Sequence, residues 1–397
     1  MKSIKVQSSA GSYGVYIGKD LVGKVGQFVR RQQLQERGLS RKNGVFKNRG
    51  GALKQPGGKM MVVTQAKVAR HYLAPLQRSL EISGFKVVKH VVPDGEKAKS
   101  ERELFRLYQV LLKNYFERSD SILALGGGVV GDLAGFCAST YMRGIRFINI
   151  GTTLLAQVDS SIGGKTGINL REGKNLVGTF YPPHLVIADI GVLKTLPMRE
   201  FLSSLAEVVK YGMIRDARLF RLLESKTRAI LARDSVVLGE VVAACARIKS
   251  CVVGRDEKEV KGERMILNYG HTFAHAFEQA LGYQGLMHGE AVSVGMICAA
   301  HLAVLMGCFS KAEAHRQRDL LNRLKLPVSL VKFRISPEKI LRAMMRDKKK
   351  NHGRLRFVLP ERIGCVQVRD DVPLPLVCRA LLYGGAVVLH EKKIISN

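Results

Sequence analysis

Ser121-Ile-Leu-Ala-Leu-Gly-Gly-Gly-Val-Val-Gly-Asp132 is the stretch on which the fold turns. The apolar run ahead of the glycines reads as a buried strand, and the apolar residues after them as a helix. Gly126, Gly128 and Gly131 satisfy G-x-G-x-x-G, the strand–turn–helix pattern that holds a pyrophosphate at a helix N-terminus. A simple dinucleotide-binding unit also ends its next strand in an acidic residue, about 20 residues on. Here the next strand, 147–150, runs into Gly151-Thr152-Thr153. The loop therefore reads as a phosphate cradle outside the simplest dinucleotide pattern, with a purely structural glycine turn as the alternative.

Upstream, residues 4–16 alternate as strands, with Gly11 and Gly14 marking turns. Lys59-Met-Met-Val-Val-Thr64 is a buried-strand pattern followed by a helix over 66–83. A second strand spans 85–92, and Ser100 caps a helix over 100–116. Strands alternating with helices imply a parallel sheet covered by helices. Residues 30–59 interrupt the pattern: nine Lys or Arg against the single acid Glu36, many glycines and no hydrophobic period. They read as a disordered basic surface insertion.

Downstream of Gly151 the chain is dense in polar groups, through Asp159-Ser160-Ser161, Gly163-Gly-Lys-Thr166 and Glu172-Gly-Lys174-Asn175. Gly163–Thr166 echoes the end of a P-loop, but the spaced upstream glycine is missing, which excludes an NTPase loop. Lys165 and Lys174 on glycine-rich loops read as ligands for an anionic substrate.

After residue 189 the pattern turns helical. Thr195 caps a helix with Pro197 in its first turn, and this helix carries Glu207 and Lys210 one turn apart. A second helix spans 236–253 with Lys249, and a hairpin is expected over 354–359 and 364–368. His271 and His275 share one helix face, and His288 opens a long apolar helix. Three imidazoles bracketed by Asn268, Glu278 and Glu290 suit a divalent metal such as zinc. Satisfied core histidines are the alternative. Glu207, a carboxylate among apolar neighbours, must be paired or metal-bound, and it supplies the group the histidines lack.

Length suggests two domains. No apolar run reaches the ~18 residues a membrane helix needs, and Met1-Lys-Ser-Ile-Lys5 has no apolar signal core. Seven scattered cysteines without a C-x-x-C pair read as buried thiols in a reducing cytoplasm. The net charge of +31 is spread along the chain and points to an anionic small molecule ahead of nucleic acid or membrane.

Read together, these motifs resemble 3-dehydroquinate synthase, a sugar phosphate cyclase. The stretches that carry the likeness are 125–136, 140–144, 152–160, 163–169, 173–180, 206–210, 267–272, 288–292 and 347–349, in family order. The resemblance implies an α/β plus α fold. Its N-terminal part is a parallel-sheet NAD-binding domain, residues 1–192, and its C-terminal part a mainly helical metal- and substrate-binding domain, residues 193–397, with the active site between them. It implies Zn2+, with Co2+ as an alternative, on Glu207, His271 and His288. His275 then becomes a proton-transfer residue. For NAD it implies Glu96, Lys99, Gly127, Gly128, Val129, Asp132, Thr152, Thr153, Thr195 and Leu196. For catalysis it implies His275, Lys210, Asp159, Lys165, Arg264 and Asn268; for substrate, Arg143, Lys174, Asn175, Lys249 and Lys349.

The implied substrate is 3-deoxy-arabino-heptulosonate 7-phosphate, converted by transient oxidation, phosphate elimination, reduction and aldol closure in the shikimate pathway of aromatic amino acid biosynthesis. The implied assembly is a homodimer, with Arg143 reaching the partner subunit's site. The chain departs from the family pattern at Gln65, Lys67 and Ala274, in the length of its basic insertion, and by an extra residue ahead of Gly262. Rival readings are a cyclitol-forming cyclase, against which Lys249, Arg264 and Lys349 argue; a polyol dehydrogenase, expected to carry Asp at position 207; and a basic scaffold protein.

Overall fold

The computed structural model describes residues 1–9, 11–36, 41–42, 45–46, 58–350 and 355–387. In chain order its elements are β1 (Lys2–Ser8), β2 (Gly11–Gly18), α1 (Val25–Glu36), β3 (Arg41–Lys42), β4 (Val45–Phe46), β5 (Lys59–Gln65), α2 (Ala66–Ile82), β6 (Lys86–Val92), α3 (Glu101–Lys113), β7 (Ser121–Gly126), α4 (Gly128–Thr140), β8 (Arg146–Gly151), β9 (Lys165–Leu170), β10 (Gly173–Phe180) and β11 (Leu185–Asp189). There follow α5 (Met198–Ile214), α6 (Ala217–Leu231), α7 (Ser235–Arg255), α8 (His271–Ala280), α9 (His288–Leu305), α10 (Lys311–Arg323), α11 (Pro337–Lys350), β12 (Phe357–Arg362), β13 (Cys365–Arg369) and α12 (Leu374–Tyr383).

The chain divides into two compact units, Met1–Leu196 with Leu238–Lys258, and Pro197–Val237 with Glu259–Asn397. The first break falls at 196/197, where the sequence suggested 192/193. Most of α7 groups with the first unit, although its helical pattern placed it in the second half.

The first unit holds a seven-stranded sheet in the order β1-β2-β11-β8-β7-β5-β6. Every neighbouring pair is parallel except β1 with β2. Gly11 makes the β1–β2 turn at φ +115°. Gly14, expected to mark a second turn, lies inside β2 opposite Lys5. Strands buried on both faces are apolar without alternation, and β5 shows why. Met60 and Val62 pack toward Val25, Val29, Leu76 and Leu80 on one face, while Met61 and Val63 pack toward Leu104, Leu107, Val130 and Leu133 on the other. From β5 the chain runs to β6 at one edge, then returns to β7 on the other side of β5. The carboxyl ends of β5 and β7 are thus a topological switch point, where open α/β sheets bind ligands.

Helix α1 continues through residue 36, so the first residues of the expected disordered insertion are helical. The strand pair β3–β4 lies within it as well, and residues 37–40, 43–44 and 47–57 lie outside the described residues. Gln65 donates from its amide to Pro93 O at 2.9 Å, and Lys67 sits 3.9 Å from Asp94. The hairpin β9–β10 pairs Lys165 with Phe180.

In the second unit α9 is the central helix, packed against α5, α8, α10, α12 and β12. By length and composition alone α9 passes as a membrane span, but 72% of it is buried inside the protein. An all-round apolar helix is what a core position selects. Two glycines set its approach to its neighbours. A Cβ on Gly289 would stand 1.9 Å from Ser203 O of α5, and one on Gly295 would stand 2.1 Å from Gly270 O at the start of α8. The helix expected to begin at Thr195 begins at Met198 with Pro197 in the N-cap position; the Thr195 hydroxyl instead meets Tyr72 Oη at 2.6 Å. Only Cys137, Cys245 and Cys298 of the seven free cysteines are fully buried, and Cys251 is exposed.

Candidate active site

In the first unit, β7 delivers Gly126 to the start of α4, whose N-cap Gly127 has no capping side chain. The first-turn N–H groups of α4 are therefore not taken by a side chain, as anion binding at a helix N-terminus requires. Thr152 follows β8 directly, and its hydroxyl is buried without a hydrogen-bond partner, as are those of Ser160 and Ser161. Orphaned buried hydroxyls beside a glycine loop fit a bound dinucleotide, because native interiors seldom leave such groups unsatisfied.

Lys99, 4% exposed, donates to Asp132 Oδ2 at 2.6 Å and also bonds Asn175 Oδ1. Asn175 takes a left-handed conformation, φ +56°, with its N–H on Asn169 Oδ1 at 2.9 Å. Asn169 in turn donates to Glu96 Oε1 at 2.8 Å. Five polar residues from three stretches of the chain are thereby tied into one network. In a second cluster of this unit, Lys249 on α7 donates to Asp159 Oδ1 at 2.7 Å, with Lys249 nearly buried. Lys165 and Lys174 are exposed on the β9–β10 hairpin. Arg143 is exposed at φ +60°.

The second unit gathers the expected metal set. Glu207 on α5, His271 at the start of α8 and His288 at the start of α9 place one ligand atom each within 4.8 Å of one another. Both imidazoles aim Nε2 at Glu207 Oε1, at 3.4 Å from His271 and 3.7 Å from His288. Glu207 is 1% exposed, and neither of its carboxylate oxygens has a hydrogen-bond partner, although Lys210 forms an ion pair with Oε2. Burial by itself would raise its pKa; Lys210, then His271 and His288, hold it well below the usual carboxylate range. Two nitrogens and one buried anionic oxygen converging on a point, with tetrahedral geometry left one member short, is the donor set of a catalytic divalent ion such as zinc.

The other nitrogen of each ring is also engaged. His271 Nδ1 is 3.2 Å from Tyr269 O, and His288 Nδ1 is 3.1 Å from Glu278 Oε1. Burial lowers the His288 pKa, but Glu278 and then Glu207 outweigh it and raise it. His275 stands outside the ligand set, exposed, its ring centroid 5.5 Å from that of His271 and 6.3 Å from that of His288. Arg264 is buried with Nε 3.2 Å from Glu259 Oε1, and Asn268 is exposed just ahead of α8. The side chain of Lys349 lies outside the described residues.

The structure brings together the three residues expected as ligands and adds two supports that the sequence did not show. The bond from Glu278 to His288 was legible only as a nearby acid. The bidentate pair of Arg199 with Glu290, at 2.7 Å to each oxygen, left no signal in either local sequence.

Known proteins share this chain's pattern along nearly its whole length. The profile of the 3-dehydroquinate synthase N-terminal domain matches residues 89–203, and that of the C-terminal domain matches residues 204–350. A 3-dehydroquinate synthase of Desulforamulus reducens is 42% identical over 372 residues, covering 94% of this chain and 97% of that protein. One of Rhodopirellula baltica is 45% identical, covering 81% and 86%. Among solved structures, a 2-epi-5-epi-valiolone synthase of Streptomyces hygroscopicus with NAD+ and Zn2+ bound superposes with a TM-score of 0.79 at 28% identity, covering 96% of this chain and 98% of that one. With both halves matched in order and the ligand set assembled, the chain belongs to the 3-dehydroquinate synthase family.

Proposed function

We propose that this protein is a 3-dehydroquinate synthase, an NAD- and divalent-metal-dependent lyase. It converts 3-deoxy-arabino-heptulosonate 7-phosphate to 3-dehydroquinate and phosphate. The observation that carries the reading is the Glu207–His271–His288 constellation in a chain 42% identical, over 94% of its length, to a 3-dehydroquinate synthase.

NAD, held here, would supply a reversible hydride acceptor, and a divalent metal a Lewis acid for the substrate hydroxyl. The remaining work falls to side chains. Glu207, His271 and His288 hold the metal. The first turn of α4 with Gly127, Gly128 and Val129, together with Thr152 and Thr153, holds the pyrophosphate. Glu96, Lys99, Asp132, Thr195 and Leu196 complete the cofactor contacts.

Lys165, Lys174, Asn175, Lys249, Arg264 and Lys349 neutralise a substrate bearing both a carboxylate and a phosphate. Asp159 orients Lys249 through their 2.7 Å ion pair. His275, exposed and free of ligand duty, moves protons with Lys210 beside the metal, and Asn268 orients a substrate hydroxyl. Arg143 serves the partner subunit's site in a homodimer. Free cysteines throughout support a reducing compartment, and we place the enzyme in the cytoplasm.

The test is direct. The purified protein is mixed with the heptulosonate phosphate, NAD+ and Zn2+, and phosphate release is followed together with dehydroquinate formation. Equal release of both products is expected. No turnover by metal-loaded protein overturns the assignment, and turnover confined to a heptulose 7-phosphate lacking the carboxylate assigns a cyclitol-forming enzyme instead.

A further inference from the structure

We infer that Glu278 is a positioning residue that fixes the tautomer and ring plane of His288. The inference rests on the proposed reading of Glu207, His271 and His288 as a metal site. An ionised carboxylate only accepts hydrogen bonds. The 3.1 Å contact from His288 Nδ1 to Glu278 Oε1 therefore places the ring proton on Nδ1. It leaves Nε2, 3.7 Å from Glu207, as the nitrogen whose lone pair is available to a metal once the imidazole is neutral.

His271 obtains the same tautomer by different means. Its acceptor is Tyr269 O, a carbonyl two residues away at 3.2 Å, and its side chain is only 12% exposed. His288 has neither advantage. It is the first residue of α9, its side chain is 39% exposed, and no local carbonyl holds its Nδ1 among the described contacts. Without Glu278 the ring would divide between two tautomers and turn more freely, so the ligand would be presented in only part of the population. Glu278 lies two turns along α8 from His271, on the same face. One helix thereby supplies both a ligand and the clamp for a ligand on its neighbour. Outer partners of this kind set ring orientation and basicity at metal sites and are worth about 10–100-fold in affinity.

Metal-free wild-type protein, Glu278→Gln and Glu278→Ala are titrated with Co2+ by visible absorption and chelator competition. The metal-free proteins, labelled with 15N in histidine, are titrated to a pH where His288 is neutral and read there for its tautomer by long-range 1H–15N NMR. Thermal melts are run on the same samples. Glu278→Ala is expected to bind Co2+ about 10–100-fold more weakly, with unchanged stoichiometry at saturation and mixed His288 tautomers. Glu278→Gln, which keeps an acceptor oxygen, is expected to fall between it and the wild type. An Ala variant with wild-type affinity and a His288 proton still on Nδ1 overturns the inference alone. So does an affinity loss that follows unfolding while His288 stays protonated on Nδ1. Co2+ binding that survives Glu207→Ala overturns the metal reading and this inference with it.

Discussion

His271 Nε2 lies 3.4 Å from Glu207 Oε1, on a carboxylate that is almost fully buried and accepts no hydrogen bond. A buried anion in that state is stable only beside positive charge. Lys210 supplies part of it, and on the proposed reading a bound metal ion supplies the rest. Glu207→Gln is expected to abolish stoichiometric metal, with an affinity loss beyond the ~100-fold that removal of an outer partner gives. It also removes the Glu207 carboxylate from the buried Lys210 ammonium, so a loss of stability is expected beside the loss of metal. Metal analysis and denaturant unfolding of the metal-free variant separate the two effects. Full metal content in the variant would refute the ligand assignment.

Stabilisation by metal should grow with pH. The His288 pKa is raised in the metal-free protein by Glu278 and Glu207. Its ion pairs therefore contribute stability that is complete below the unfolded histidine pKa and lost as pH rises through the higher folded one. Metal competes with that proton. Glu207, held well below its usual range, keeps its charge throughout and adds no dependence in this window. The metal-induced rise in Tm is expected to be larger near pH 8 than near pH 6, straddling ordinary histidine titration. A pH-independent rise would contradict this.

Gly295→Ala should damage the site from a distance. Its new Cβ would meet Gly270 O at 2.1 Å, forcing α9 away from the start of α8. Those helices carry His288 and His271. Overpacking of this kind costs about 1–3 kcal/mol or more. The variant is expected to lose both Tm and metal affinity, whereas Gly239→Ala, inside α7 where a Cβ meets nothing within 4 Å, should leave metal affinity unchanged and hold or raise Tm.

Lys249→Met tests the substrate cations. It removes one partner of Asp159, at 2.7 Å, and, on the proposed reading, an anion contact of the substrate. Losing a charge-assisted hydrogen bond is worth about 1.5–3 kcal/mol, or roughly 10–100-fold in kcat/KM by the usual conversion. Steady-state phosphate release measures it, and metal content should stay at the wild-type level.

Thiol reactivity follows burial. Burial pushes the pKa of Cys137 and Cys298 far up, so neither forms a thiolate near neutrality. Cys251 is exposed. Alkylation of the native protein followed by peptide mass spectrometry should modify Cys251 while Cys137 and Cys298 stay unmodified until denaturant is added.

Much of this protein was legible in its residues. The β5 and β7 strands declare themselves because strands buried on both faces are apolar at every position. The glycine turn before α4 and the isolated carboxylate Glu207 among apolar neighbours are likewise local facts of sequence. Family likeness then separated the histidines, assigning His271 and His288 to metal and His275 to protons; spacing alone leaves all three equivalent.

What the residues could not reveal is long-range. Sheet order, with β7 returning past β5, follows from packing many segments at once. The grouping of α7 with the first unit is of the same kind, since an amphipathic pattern marks a buried face without saying against what. The Glu278 clamp on His288 and the Arg199–Glu290 pair are side-chain contacts made across elements. They exist because Gly289 and Gly295 let α9 approach its neighbours closely, and that steric complementarity between backbones has no local signature.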